Sequence, residues 1–505
     1  MNRFFKTVAI VTLFSFFEKL LGFLYRIFLS HTIGAEGIGI FQVALSVFGL
    51  ILTATCSGTP VTVSRLMTKY KAENSPEKVK SVITAGLSIA FFTALPVCLF
   101  LLLFSGKFTF LFADPRCVKI FLILTPTLVF CSIYSVLRGV FWGNKDFFPF
   151  SIIELLEEVC MIILGVLLIS NASSVTDGAT KAGIAVAVSY AFSFTLATVV
   201  FILRKNKLKN PLLELKPLLS SALPITAMRT ASSVAVSLVS IILPMRLIFY
   251  GLSETEAMIA FGAAMGQAYP LLFIPVNLIG SFTLVLVPEI SENFYRKRHL
   301  PLKNAVEKAL KFTIVLCTLF VPTFLVCGTE IGIVVFNSTA CGEYLSSACP
   351  LMIFMGLSSI STSILNSMGL ENRTLSYYIL GGALMLLSVW FLPRFMGTGA
   401  LTIGFLFVYG LTSVLNLRLL NKRLVYKPQY LKDSLISVLC ILPTALLGLL
   451  LERLLLPVLG VMFTLLVCSA LMLIFNALLL LGFGVITFDY VKSIFKKNSL
   501  KLSRG

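Results

Sequence analysis

The stretch Leu459–Gly484, LGVMFTLLVCSALMLIFNALLLLGFG, runs for 26 residues without a charge. A helix of that length covers about 39 Å, more than the ~30 Å of hydrocarbon in a bilayer. It reads as a membrane span, and the chain repeats the pattern. Apolar runs of about 20 residues, each long enough to cross, recur along its whole length. The 505 residues are 58% hydrophobic and 12% charged, with a mean hydropathy of +0.98. Soluble domains carry about 25% charged residues, so the class is an all-α integral membrane protein. Strand-like alternation is absent, which argues against a barrel. The first apolar run is too long for a removable signal peptide and lacks a small-residue cleavage site, so it is expected to remain as a span.

Fourteen helices are expected, near 7–31, 38–68, 79–105, 117–142, 148–171, 179–204, 215–248, 256–291, 304–327, 344–370, 374–394, 397–420, 430–453 and 459–484. Loop charges orient them. With the amino terminus in the cytoplasm, 27 of the 41 lysines and arginines fall on the cytoplasmic side. Among them are Lys69, Lys71, Lys78, Lys80, Arg204, Lys205, Lys207, Lys209, Arg296, Lys297, Arg298, Lys422, Arg423, Lys427, Lys496 and Lys497. About seven face outward: Lys107, Arg116, Lys119, Lys181, Arg246, Arg394 and Arg453. This asymmetry predicts that both termini lie in the cytoplasm. It also accounts for most of the net charge of +19. Basic loops beside anionic lipids explain that charge better than a nucleic-acid partner does.

The prolines suggest a duplication. Pro60, Pro76, Pro96 and Pro126 are echoed by Pro288, Pro301, Pro322 and Pro350, at offsets of 228, 225, 226 and 224. Asn144 has a counterpart in Asn372 at 228, whereas Pro115 and Pro149 have none. Each copy holds six helices, an even number, so both run the same way through the bilayer. The expected architecture is two parallel six-helix lobes plus two extra helices. The amino-terminal lobe is 1–210, the carboxy-terminal lobe 211–425, the extra pair 426–490, and a basic cytoplasmic tail 491–505.

Several charges lie where a membrane disfavours them. Lys19 falls about 12 residues into the first helix, roughly 18 Å deep. Arg229 lies similarly deep in the seventh. Facing lipid, the two would together cost roughly 5–7 kcal/mol. They are therefore expected to face a water-filled cavity, with a structural ion pair as the alternative. Arg26 follows Lys19 by seven residues and shares its helix face. Arg65 and Arg138 sit near helix ends, where snorkelling explains them equally well. Glu154, Glu157 and Glu158 crowd the fifth helix, with Glu154 and Glu158 on one face. They read as a cation or proton site, as counter-charges for the arginines, or as residues near the interface. Pro224, Pro270 and Pro275 interrupt the seventh and eighth helices, with Gln267, Asn277 and Gly280 close by.

Absences narrow the chemistry. No phosphate-binding GxxxxGK[ST] loop, HExxH or GxSxG occurs. Two histidines, His31 and His299, cannot form a zinc site alone, and no CxxC occurs among eleven cysteines. Neither enzymatic activity nor a cofactor or metal is expected. Cys341 and Cys349 could bridge, but free thiols are favoured.

Gly22-Phe23-Leu24-Tyr25-Arg26, Ile33-Gly34-Ala35-Glu36-Gly37-Ile38-Gly39 and Ser57-Gly58-Thr59-Pro60-Val61-Thr62-Val63-Ser64-Arg65 resemble the amino-terminal signature of the stage V sporulation protein B family. That family belongs to the oligosaccharide flippases of the multidrug/oligosaccharidyl-lipid/polysaccharide exporter (MATE-like) superfamily. The resemblance implies two six-helix lobes around a central cavity. It also implies basic cavity residues near helices 1, 2 and 8, and Lys19, Arg26 and Arg65 fall on the matching motif. Lysine at position 19 replaces a frequent arginine, and the eighth helix has no basic residue before Arg296. Arg229 would compensate.

The combined expectation is a flippase for a polyprenyl-diphosphate-linked saccharide, such as a peptidoglycan precursor, serving envelope or spore cortex synthesis. It would work by alternating access within membrane lipid. Lys19, Arg26, Arg65 and Arg229 would bind substrate, and Glu154 and Glu158 would couple a cation, Na+ or H+. Alternatives are a cation-coupled multidrug exporter on the same fold and a non-transporting scaffold for envelope enzymes.

Overall fold

A computed structural model describes residues 3–204 and 208–486. Lys205, Lys207, Lys496, Lys497 and the expected tail 491–505 lie outside the described residues. The described residues are nearly all helical and include no strand.

The helices are α1 (Arg3–Cys56), α2 (Thr59–Ala72), α3 (Pro76–Leu103), α4 (Arg116–Leu124), α5 (Thr127–Gly143), α6 (Phe147–Ile169), α7 (Val175–Leu203), α8 (Leu212–Phe249) and α9 (Glu254–Phe261). A π-helical segment, Gly262–Ala268, leads into α10 (Tyr269–Tyr295). Then come α11 (His299–Val326), α12 (Gly328–Phe336), α13 (Thr339–Ala348), α14 (Leu351–Ser367), α15 (Glu371–Phe391), α16 (Pro393–Met396) and α17 (Gly399–Phe405). A second π segment, Leu406–Leu411, precedes α18 (Thr412–Arg423), α19 (Leu431–Leu439) and α20 (Ile441–Gly482).

Among the described residues, nine continuous helices are long and apolar enough to cross a membrane. The number rises to eleven if each of two bent pairs counts as one span. That measure stops short of the fourteen expected, for physical reasons. Two of the nine are very long, at 59 and 52 residues. Each is interrupted by a glycine in the left-handed region, Gly34 at φ 65° and Gly460 at φ 71°. Only glycine adopts that conformation freely, so the chain turns there and continues as helix. Meanwhile α6, 23 residues long, carries three carboxylates and is too charged to count among the nine.

The proline echo recurs in the elements. Both α3 and α11 have 28 residues, each with an internal proline, Pro96 and Pro322. Both α5 and α14 have 17 residues and follow a bend at a proline. The bends are 44° before α5 and 62° before α14. Pro126 and Pro350 cause them, because proline lacks an N–H and clashes with the preceding turn. Neighbouring side chains satisfy nearby carbonyls. Thr125 Oγ1 donates to Phe121 O at 2.8 Å, and Thr127 Oγ1 to Leu124 O at 2.6 Å. Around Pro350, Ser347 Oγ donates to Tyr344 O at 2.9 Å and Cys349 Sγ to Ser346 O at 3.2 Å. Cys341 and Cys349 are both buried.

The chain divides into two compact units. One takes in Met1–Pro270, Val335–Ala340 and Tyr378–Val408, and the other Leu271–Val334, Cys341–Tyr377 and Tyr409–Gly505. In the first, Val63, Met67, Val82, Val136, Phe141 and Ile153 form a closed core. In the second, Ile279, Val306, Leu310, Ile360, Ile364 and Leu365 do the same. Val136, Val140 and Phe141 have counterparts in Ile360, Ile364 and Leu365, each 224 positions on, so the repeat extends into the packing. Outside the cores, α20 leaves Leu442, Leu446, Leu450, Phe463 and Leu466 exposed. Such a surface suits lipid and would be a liability in water.

A candidate cationic site in the first unit

Every candidate site residue falls in the first unit. The site is set by two breaks in helical geometry. At the first, α1 ends and α2 begins across Ser57-Gly58. Here α8 presents Ala222, Thr226 and Arg229 at spacings of four and three, so they share one face. A Cβ on Gly58 would stand 2.3 Å from Ala222 O, so only glycine allows this approach. Gly58 N donates to Thr226 Oγ1 at 3.1 Å. Arg229 Nη1 donates to Ser57 O at 2.8 Å. The guanidinium thus caps a carbonyl at the carboxy-terminal end of α1, where a cation complements the helix dipole. Arg229 remains exposed.

The second break is the π segment. Arg26 Nη1 donates to Gly266 O at 2.7 Å, within Gly262–Ala268. A π turn disturbs the usual i to i−4 ladder, and Arg26 supplies a donor there. Beside it, Gln267 is fully buried and its Nε2 donates to Ser30 Oγ at 2.6 Å. Ser30 Oγ in turn donates to Phe336 O at 2.5 Å.

Lys19 and Arg65 are placed differently. Both are exposed, on α1 and α2, and neither forms a salt bridge among the described residues. Lys19 stands on a side of α1 where Phe16, Leu20 and Leu24 are also exposed. The four basic residues are thus held in two ways. Two bond to backbone carbonyls and two project from their helices.

The carboxylates are partnered more closely than the cations. Glu154 Oε1 accepts from Arg138 Nη2 at 3.0 Å. The Arg138 guanidinium also lies over the rings of Tyr134, Trp142 and Phe150, at 5.7, 5.8 and 5.3 Å. Glu154 is thus a counter-charge for an arginine, one of the readings its sequence context left open. Glu158 packs against α1, where a Cβ on Gly22 would stand 2.8 Å from its Oε1. Glu18 lies within electrostatic reach of both Arg138 and Lys19. No group of three or more His, Cys, Asp or Glu side chains among the described residues could hold a metal ion.

Sequence reasoning left Arg138 evenly balanced between snorkelling at a helix end and a place among the buried charges. It missed a second network altogether. Arg116 Nη1 donates to Glu36 Oε1 at 2.6 Å and its Nη2 to Asp114 Oδ2 at 2.7 Å, with Asp114 fully buried.

These features define a multi-pass, all-helical membrane protein that keeps cations without carboxylate partners on several of its helices. Residues 4–294 match the family of polysaccharide biosynthesis proteins, and the chain belongs to that family. Stage V sporulation protein B of Bacillus subtilis (strain 168) is 24% identical over 392 residues, covering 75% of this chain and 76% of that one. Lipid II flippase MurJ of the same organism is 24% identical over 343 residues, covering 61% and 62%. Among solved structures, an inward closed conformation of lipid II flippase MurJ aligns with a TM-score of 0.71 at 15% identity, over 94% of this chain and 99% of that one. An inward-facing MATE family transporter of the MOP superfamily aligns at 0.65 and 14% identity, over 81% and 94%. The fold is that of this superfamily.

Proposed function

We propose that the protein flips a polyprenyl-diphosphate-linked saccharide from the inner to the outer leaflet. One observation carries the reading. Among the described residues, Lys19, Arg26, Arg65 and Arg229 form no salt bridge, whereas the membrane carboxylate Glu154 has its own arginine. Positive charge therefore stays available to a ligand. A diphosphate needs cationic partners in a low-dielectric setting, and arginine forks match its oxygens. The carbonyls now held by Arg26 and Arg229 are weaker acceptors than a diphosphate, so a substrate can compete for both guanidiniums. The lipid tail stays in the bilayer while the saccharide takes a hydrated path.

The two six-helix lobes, 1–210 and 211–425, would rock about the substrate, with 426–490 as an added helix pair and both termini in the cytoplasm. Glu154 and Glu158 would couple the cycle to Na+ or H+. The relatives named as a lipid II flippase and a sporulation protein support this substrate class. Peptidoglycan precursor is the saccharide we favour, with envelope or spore cortex synthesis as the setting.

The test is transport of a fluorescent lipid-linked saccharide in proteoliposomes. Lys19→Ala and Arg229→Ala should each slow appearance in the outer leaflet at least tenfold. Parental rates in both variants refute the site. A cation-coupled multidrug exporter is the second reading, favoured by the three carboxylates of α6. It requires efflux of organic cations that falls in E154Q and E158Q while saccharide flipping is absent.

A further inference from the structure

A second concentration of positive charge lies in the other unit and shares no residue with the site above. On α18, Leu415, Arg418, Leu419, Lys422 and Arg423 recur at spacings of three and four, which places them on one helical face. On α15, Arg373 and Tyr377 stand four apart. Together these seven residues line one open cavity of about 450 Å³. Four of the seven are cations and none is an acid. All four are exposed, and none has a side-chain hydrogen bond or salt bridge among the described residues.

Helix electrostatics accounts for only part of this. Lys422 and Arg423 occupy the last turn of α18, where cations complement the carbonyl end. Arg373 sits in the first turn of α15, where the dipole disfavours a cation. Four like charges around one cavity repel one another, and an anion seated among them removes that repulsion. The apolar part of the wall, Leu415, Leu419 and Tyr377, suits methylene groups rather than a fully hydrated ion.

We propose that this cavity binds a phosphate group, carried by an anionic phospholipid or free as phosphate or diphosphate. The arginine forks take the phosphate oxygens, and the leucines and the tyrosine ring take the start of an acyl chain. The cavity lies where α15 begins and α18 ends, the level at which phospholipid phosphates sit if these helices span the bilayer. The assignment requires a membrane-embedded chain but no transport of cargo, so it stands or falls separately from the flippase reading.

Native mass spectrometry of the full chain in detergent tests it, with phosphatidylglycerol and phosphatidylcholine as probes. The parent should retain phosphatidylglycerol in preference to phosphatidylcholine. R373Q/R418Q should weaken that binding about thirtyfold, roughly fivefold for each charge near a membrane surface. K69Q/K78Q removes two exposed cations elsewhere and should leave it unchanged. All four replaced side chains are exposed or partnered only with rings and surface acids, so thermal midpoints should match the parent. Millimolar inorganic diphosphate separates the two sources. Displacement of the lipid assigns the cavity to the phosphate group alone, and retention assigns it to the phospholipid with its chain. Binding by R373Q/R418Q equal to the parent, or a loss no larger than in K69Q/K78Q, overturns the proposal.

Discussion

Removing Arg138 should destabilise the protein more than removing its partner Glu154. The two meet at 3.0 Å with side chains 34% and 23% exposed. Breaking a fully buried pair by deleting one partner costs about 3–5 kcal/mol. An exposed pair contributes only about 0.2–1 kcal/mol. At one-quarter to one-third exposure, a coupling of about 2 kcal/mol is expected, between those limits. Arg138 also loses contact with three rings, each contributing about 0.5–1 kcal/mol at such sites. R138Q should therefore cost about 3.5–5 kcal/mol and E154Q about 2 kcal/mol. The double variant should fall short of their sum by about 2 kcal/mol. Denaturant titration in lipid-detergent micelles measures the three differences. Additivity within about 0.5 kcal/mol would refute the pairing, because groups that do not interact behave that way.

The same cycle separates two roles for Glu154. If it binds the coupling cation, E154Q abolishes transport and R138Q/E154Q stays inactive. If it serves only to neutralise Arg138, removing both charges restores transport. The proposed function expects the first result, and recovery in the double variant would remove Glu154 from the coupling machinery.

Three other outcomes are expected. R116Q strands the fully buried Asp114 and should cost about 3–5 kcal/mol, whereas E36Q leaves the Arg116–Asp114 pair in place and should cost about 1 kcal/mol by unfolding titration. G262A drives a Cβ to 1.9 Å from Ala35 O and should cost about 1–3 kcal/mol, while G49A, with nothing within 4 Å, should be neutral or slightly stabilising. In right-side-out vesicles a membrane-impermeant maleimide should label G106C and not E73C, since the charge distribution puts those turns on opposite faces; reversed labelling would overturn the orientation.

The helices were legible because their cause is local. A run of about 20 apolar residues crosses a bilayer as a helix whatever surrounds it. The paired prolines were legible for the same reason, and they proved to carry geometry: Pro126 and Pro350 each bend a helix ahead of a 17-residue segment. Where continuity of a helix depends on one dihedral angle, as at Gly34 and Gly460, composition marks a glycine but not the hand of its turn. The ion pairs were less accessible. Arg138 and Glu154 are 16 residues apart on separate helices, and Arg116 and Glu36 are 80 apart. No spacing rule relates such residues, because only packing brings them together.

The cations expose a deeper limit of sequence reading. Depth in the membrane singled out Lys19 and Arg229, with Arg26 on the face of Lys19, and pointed to a water-filled cavity with an ion pair as the alternative. Two of the three use acceptors that a list of side chains does not contain, the backbone carbonyls of Ser57 and Gly266. Both carbonyls lie where regular helix geometry fails, at the end of α1 and inside a π segment. Such sites have unsatisfied polarity that must be met within the protein, since lipid offers none. A guanidinium that meets it keeps its full charge, whereas one paired with a carboxylate would be neutralised. Holding arginines on carbonyls thus fixes their position and leaves their charge for an anion, which an ion pair cannot do. Replacing Gly266 or Ser57 would not remove the acceptor, because it belongs to the backbone. The arrangement is lost by changing the arginine or by moving that backbone, as a side chain at Gly266 would, its Cβ falling 2.1 Å from Ile38 Cγ2.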